Sequence, residues 1–189
     1  MLFFMKKGIL FLLICITMSC ASAQTSNSKA FMQAFKPHLG NYYEGTIVAG
    51  GKEGDGFTGE RLLMEVMSWD EREVKLPFYV GEDKSRTWIF SWSNNRVELK
   101  HDHRKSDGTA DKVTFYGGTA PNEGTPNMQM FPADAETEQL IDYAAYNVWW
   151  VTIDADKFTY NLRRIGSDRL FSVEFDLTKP IVSNFKPWR

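Results

Sequence analysis

The sequence predicts a mainly β protein with one antiparallel domain, in the form of either a barrel or a sandwich. From residue 41 onwards, apolar and polar residues alternate with a period of two, which is typical of strands with one buried face. Nine short candidate strands follow one another closely, separated by turns rich in glycine, asparagine and aspartate. Aromatic residues make up 14% of the chain and supply large side chains for a core. Residues 24–189 suffice for one such domain.

The N-terminal segment is predicted to be a signal peptide over residues 1–23. Two lysines precede an apolar run over residues 8–18, and small residues then form a cleavage motif that ends at Ala23. Cleavage there makes Gln24 the first residue of an exported chain, either periplasmic or secreted. The run is too short for a membrane span, and no later segment reaches the ~18 apolar residues that a span needs. No transmembrane span is therefore expected in the mature chain.

Cysteine usage and charge narrow the classes of function. Cys15 and Cys20 both lie before the predicted cleavage site, so the mature domain is expected to lack disulfides, thiolate ligands and a cysteine nucleophile. An alternative is lipidation of Cys20, which would make the chain a membrane-anchored lipoprotein. The formal net charge is -2, and it becomes -4 once the two lysines of the leader are removed. Because no basic patch is present, nucleic acid is not an expected partner.

The elements follow in chain order. A short helix is predicted over residues 26–35, with Ser26 or Ser28 as its cap and Pro37 at its end. The predicted strands cover residues 41–50, 59–69, 71–80, 85–92, 96–104, 111–118, 147–154, 157–166 and 169–177.

A segment between the sixth and seventh predicted strands departs from the period of two. It carries three prolines and then a predicted helix from Ala135 to Tyr146, for which Asp134 is a suitable N-cap. We interpret this segment as a long crossover or a lid.

Leu39 to Gly45, LGNYYEG, follows the first helix and opens the first strand. It resembles the Gly-x-Trp start of lipocalin-like (calycin) barrels, with Tyr42 in place of the tryptophan. The resemblance implies a single antiparallel up-and-down β-barrel, in which Arg163 or Arg164 packs across Tyr42 at the closed end. The stretches HDHR, YGG, FPAD and NVWW also resemble a group of exported bacterial proteins, a likeness that implies no activity.

The orientation of two histidines follows from the alternation along the fifth predicted strand. Val97 begins an apolar face that His101 and His103 continue, whereas Asp102 and Arg104 lie on the other face. Both imidazoles are thus predicted to face the barrel interior near its mouth, where hydrogen bonds within a polar barrel end would satisfy them.

A metal site is an alternative interpretation of the same two histidines, because imidazoles on one strand face can share one ion. It would need a third ligand from another strand, and Glu44 or Glu65 are the candidates. Two histidines alone do not define a metal site, so no metal ligand is assigned, and the sequence does not identify a cofactor.

The aromatic residues complete a candidate site. A wide aromatic interior beside histidines and an arginine suits a molecule with an apolar body and a polar head. The predicted ligand-binding residues are Arg86, Trp88, Trp92, His101, His103 and Tyr116. The predicted function is binding of a small hydrophobic or amphipathic molecule by a monomeric barrel. Two alternatives stay open: a barrel enzyme, an isomerase or hydrolase with an interior histidine as general base, and a cell-envelope interaction module with a filled barrel.

Overall fold

A computed structural model describes residues 25–189. The predicted signal peptide and both cysteines lie outside the described residues. The helices are α1 (Asn27–Ala34) and α2 (Ala135–Leu140), and the strands are β1 (Tyr42–Ala49), β2 (Leu62–Glu65), β3 (Ser68–Trp69), β4 (Glu73–Val80), β5 (Asp83–Ser93), β6 (Arg96–His103), β7 (Tyr116–Thr119), β8 (Met128–Pro132), β9 (Asn147–Ile153), β10 (Lys157–Arg164) and β11 (Leu170–Asp176). No helix of the described part of the chain is long and apolar enough to cross a membrane.

The strands form one antiparallel sheet that is nearly closed into a barrel. Its order is β7-β6-β5-β4-β2-β1-β11-β10-β9-β8, with β3 paired to β4, so neighbours in the chain are neighbours in space and β1 joins β11. The strand pattern predicts a barrel or a sandwich, and the up-and-down barrel is the arrangement that the resemblance implies. The β5–β6 hairpin turns at Asn94 and Asn95, both with positive φ, as expected for a tight hairpin.

The two edge strands approach each other closely where the barrel comes nearest to closing. The Asp134 amide donates to the Gly117 carbonyl at 3.0 Å. A Cβ atom at Gly118 would lie 1.9 Å from the carbonyl oxygen of Pro132, so only glycine allows this approach. The glycine pair thus lets the backbone of β7 meet the end of β8.

Helix α1 closes one end of the barrel. Ser26 is its N-cap, and its hydroxyl accepts from the Lys29 amide. Phe31 and Phe35 are buried on the face that enters the barrel, and the Phe35 ring stacks on Phe90 at 5.6 Å. These contacts make this the closed end.

Three predicted boundaries are wrong. The second predicted strand is divided into β2 and β3, and the sixth begins only at Tyr116, because residues 111–115 form a loop in which Phe115 has positive φ. The predicted helix from Ala135 ends at Leu140, since Ile141 leaves the helical region with ψ 86°, and a short 3-10 turn follows.

Strand β8 was not predicted, because its residues do not alternate regularly between apolar inward and polar outward side chains. Gln129 and Phe131 point inward, whereas Met128 and Met130 are exposed. The buried Gln129 amide donates to the Glu123 carbonyl at 2.8 Å. With a polar residue inside and apolar residues outside, the sequence of this strand lacks the alternation by which strands are recognised.

The contact that the resemblance implies for Tyr42 is wrong. Tyr42 points to the outer face, where the C-terminal segment covers it and its hydroxyl donates to the Phe185 carbonyl at 2.8 Å. The cation beside it is Lys186, whose Nζ lies 5.7 Å from the Tyr42 ring centroid. The strand register places Arg163 and Arg164 at the opposite end of the barrel.

Candidate ligand-binding site

A cavity of about 220 Å³ lies at the end of the barrel opposite α1. Aromatic side chains form its apolar wall: Phe57, Phe78, Trp88, Trp149, Tyr160 and Phe171. Polar side chains from other strands lie among them: Arg86, His103, Tyr116, Asn147, Arg164 and Arg169. One concave site therefore presents both an apolar surface and hydrogen-bonding groups.

Trp88 is the centre of the apolar wall. Its ring stacks on Phe78 at 4.6 Å on one side and on Tyr160 at 4.3 Å on the other. The register of β5 and β6 sets Trp88 opposite His101 and Arg86 opposite His103. The alternation of two adjacent strands thus delivers four side chains to the cavity.

The ring of His101 is buried and fully hydrogen-bonded. Its Nδ1 lies 3.0 Å from the Tyr116 carbonyl, and its Nε2 lies 2.7 Å from the Tyr160 hydroxyl. A carbonyl can only accept, so Nδ1 carries the proton and Nε2 accepts from Tyr160. Burial lowers the pKa of His101 to about 3, which keeps the imidazole neutral. His101 therefore serves as a fixed part of the cavity wall.

The ring of His103 lies nearer the opening. Its Nε2 is 3.0 Å from the hydroxyl of Tyr116, whose own ring stacks on His101. Burial, and next the positive charge of Arg86, lower the pKa of His103 to about 4. No carboxylate of the described residues hydrogen-bonds to this ring, so at neutral pH it offers a neutral hydrogen-bonding edge and is a weak proton acceptor.

The opposite strand face confirms the predicted orientation. Asp102 points away from the cavity, where it accepts from Arg104 Nε at 2.9 Å and from Thr114 Oγ1 at 3.1 Å. Both imidazoles line the cavity, as the unbroken alternation from Val97 predicts.

The crossover covers one side of the opening. Ile141, Tyr143 and Ala144 line the cavity, in the turn that follows α2. The helix is fixed to the barrel by Thr137, whose hydroxyl accepts from the Gly117 amide at 2.7 Å and donates to its carbonyl at 2.8 Å.

Five of the six predicted binding residues line this cavity: Arg86, Trp88, His101, His103 and Tyr116. Trp92 does not line it. Its indole lies at the closed end and donates to the Ser28 hydroxyl at 2.9 Å. Trp92 is four positions after Trp88 along β5, so the two side chains lie at opposite ends of the barrel.

Two further arginines line the cavity and were not in the predicted set. Arg164 shares a strand face with Tyr160 and Leu162, so the alternation along β10 was a usable signal. Arg169 follows a turn, just before β11, and no sequence pattern marks it.

The proposed third metal ligands lie elsewhere. Glu44 pairs with Arg61 on the outside of the barrel, and Glu65 is buried under the C-terminal segment, where it accepts from Tyr79 at 2.7 Å. Among residues 25–189 there is no group of three histidine, cysteine, aspartate or glutamate side chains placed to hold a metal ion.

Comparisons with known proteins add no family to this geometry. No family model, no curated protein and no solved structure matches the chain. The nearly closed antiparallel barrel is compatible with a lipocalin-like fold, and a fold of this kind does not define an activity.

Proposed function

We propose that this protein is an exported, lipocalin-like barrel that binds a small amphipathic molecule in the cavity at its open end. The observation that carries the proposal is the division of the cavity between a stacked aromatic wall around Trp88 and polar groups at His103 and Tyr116. An apolar body would gain from leaving water against the aromatic wall, at roughly 25 cal/mol per Å² of area buried. The polar edge would fix the orientation of the head group.

The two neutral imidazoles suit this role. His101 holds Tyr116 and Tyr160 in place, and His103 presents a hydrogen-bonding ring without the cost of burying a charge. Export through residues 1–23, with a lipid anchor at Cys20 as the alternative, and a monomeric state belong to the same proposal.

The test is calorimetric titration of the purified chain with 2-naphthamide, which has a compact apolar body and an uncharged polar head. We expect saturable binding with one site per chain. His103→Ala should weaken it about five-fold, the effect of losing one hydrogen bond of ~1 kcal/mol. Asp102→Ala, the neighbouring outward residue, should leave the affinity unchanged.

The melting temperature of each variant shows whether it is folded. No saturable binding by the folded wild-type chain would contradict the proposal. Equal losses in the His103 and Asp102 variants would show that the probe binds outside the cavity.

A further inference from the structure

We propose that the head group of the ligand is a carboxylate, bound by Arg164 and Arg169 at the cavity opening. This inference rests on the proposed function and adds the charge of the ligand to it. Three arginines and two neutral histidines line the cavity, and none of its lining residues within the described chain is an aspartate or glutamate. A cavity with this lining attracts an anion and disfavours a cation.

Arg86 is already paired, so it contributes less to an incoming anion. Its Nη1 donates to the carboxylate of Asp83, and its guanidinium lies 5.4 Å from the Phe57 ring. Arg164 and Arg169 differ from it. Within residues 25–189, neither has a carboxylate oxygen within 4.0 Å, and the acid of their own turn, Asp168, is exposed.

The two unpaired arginines lie side by side. The Arg164 amide donates to the Arg169 carbonyl at 3.0 Å, so the residues face each other across the base of the β10–β11 turn. Like charges at such positions repel, which is unfavourable for the folded chain unless an anion lies between them. An adjacent arginine pair that forms no ion pair with a carboxylate of the described residues, although Asp168 lies in the same turn, is therefore better explained by a ligand than by stability.

The orientation of Arg164 is fixed before any ligand binds. Its Nε donates to Asn147 Oδ1 at 2.9 Å, and its guanidinium lies over the Tyr143 ring at 4.7 Å. With Nε engaged, the two terminal nitrogens remain for a carboxylate, which matches the planar fork of a guanidinium. Tyr143 belongs to the turn after α2, so the crossover helps to orient this arginine.

The arginine pair and the apolar wall line the same cavity, which Trp88, Tyr160, Arg164 and Arg169 all border. They therefore belong to one site, and a single molecule can contact both. At about 220 Å³ the cavity lies below the ~300–1,000 Å³ typical of drug-sized ligands, so the body of the carboxylate is compact, such as one or two fused rings.

The test compares 2-naphthoate with 2-naphthamide, which share one body and differ in charge. At low ionic strength we expect the wild-type chain to bind the carboxylate about ten-fold more tightly, which corresponds to ~1.4 kcal/mol. Arg164→Gln and Arg169→Gln should each remove most of this preference, measured as the ratio of the 2-naphthamide and 2-naphthoate dissociation constants within the same variant. Arg163→Gln is the matched control, because Arg163 is exposed on the same strand and its loss changes the net charge equally.

The outcomes separate the two proposals. If the amide binds and the carboxylate binds no more tightly, the anion inference is wrong and the proposed function stands. If Arg163→Gln lowers carboxylate binding as much as Arg169→Gln, a diffuse surface charge is responsible and the inference is wrong. If neither probe binds the folded wild-type chain, the proposed function is wrong and the inference is wrong with it.

Discussion

His101 shows what a single residue reveals in the sequence and what it conceals. Its inward orientation follows from the alternation that begins at Val97. Its partners do not, because Tyr116 and Tyr160 come from strands on either side of the long crossover. The fixed protonation of the ring depends on those partners, so the chemistry of this histidine could only be read from the fold.

The first prediction, at the scale of single residues, concerns the pH dependence of stability. The pKa values of His101 and His103 are lowered in the folded chain, to about 3 and about 4, and burial also lowers the pKa of His38. The ordinary pKa of histidine is 6.5, so below that pH these histidines bind protons in the unfolded chain and stay neutral in the folded chain. The free energy of unfolding should therefore fall as pH falls. The slope is at most about 1.4 kcal/mol per pH unit for each histidine.

Urea unfolding between pH 7 and pH 5 measures this slope in a range where most carboxylates stay ionised. His101→Gln should reduce the slope, whatever its effect on stability at pH 7. A slope equal to that of the wild-type chain would show that His101 titrates normally in the folded state.

At the scale of elements, strands with a regular apolar and polar alternation were predicted. Strands in which a buried polar residue is satisfied by a distant partner were not. The β5–β6 hairpin was predictable because its inward face is largely apolar and its turn is Asn94-Asn95. Strand β8 was not, because Gln129 faces inward and finds partners in a loop that the sequence does not place. The cavity shows the same division: the strand residues Trp88 and His103 were predicted, whereas Arg169 after a turn was missed.

The second prediction concerns how α2 is attached to the barrel. Thr137→Val keeps the shape of the side chain but leaves the buried Gly117 amide without its acceptor, while the Gly117 carbonyl still accepts from the Asp134 amide. An unsatisfied buried group costs ~1–3 kcal/mol, so the free energy of unfolding should fall by about that amount. Hydrogen exchange should also speed up at the Gly117 amide.

The matched control is Thr119→Val, at an exposed position of β7, the strand that contains Gly117. It should change neither the free energy of unfolding nor the exchange rate at Gly117 appreciably. Similar losses in the two variants would mean that the effect of Thr137→Val does not come from the loss of the hydroxyl that binds Gly117.

At the scale of the whole molecule, the two ends of the barrel differ in construction. Helix α1 fills the closed end with Phe31 and Phe35, whose rings pack on each other, and Phe35 also packs on Phe90 and Phe158. The open end has the cavity, unpaired arginines and a short helix fixed to one edge. Stability and ligand binding should therefore respond to different residues, even on one strand.

Strand β5 allows the third prediction, because its face carries Trp88 at the open end and Trp92 at the closed end. Trp92→Phe removes the hydrogen bond to Ser28 and part of the packing under α1. The free energy of unfolding should fall by about 1–2 kcal/mol, while the affinity for 2-naphthamide stays unchanged. Tyr116→Phe at the open end removes the hydrogen bond to His103 and should change that affinity with a smaller effect on unfolding.

Denaturant unfolding and calorimetric titration on the same preparations separate these effects. A loss of probe affinity in a folded Trp92→Phe variant would place Trp92 in the binding site, as its strand face alone suggests. An unchanged affinity would show that distance along the strand, and not the face alone, decides which aromatic residues meet the ligand. The strand rises about 3.3 Å per residue, so four positions separate the two indoles by roughly 13 Å. That separation exceeds the reach of a compact two-ring probe held at Trp88.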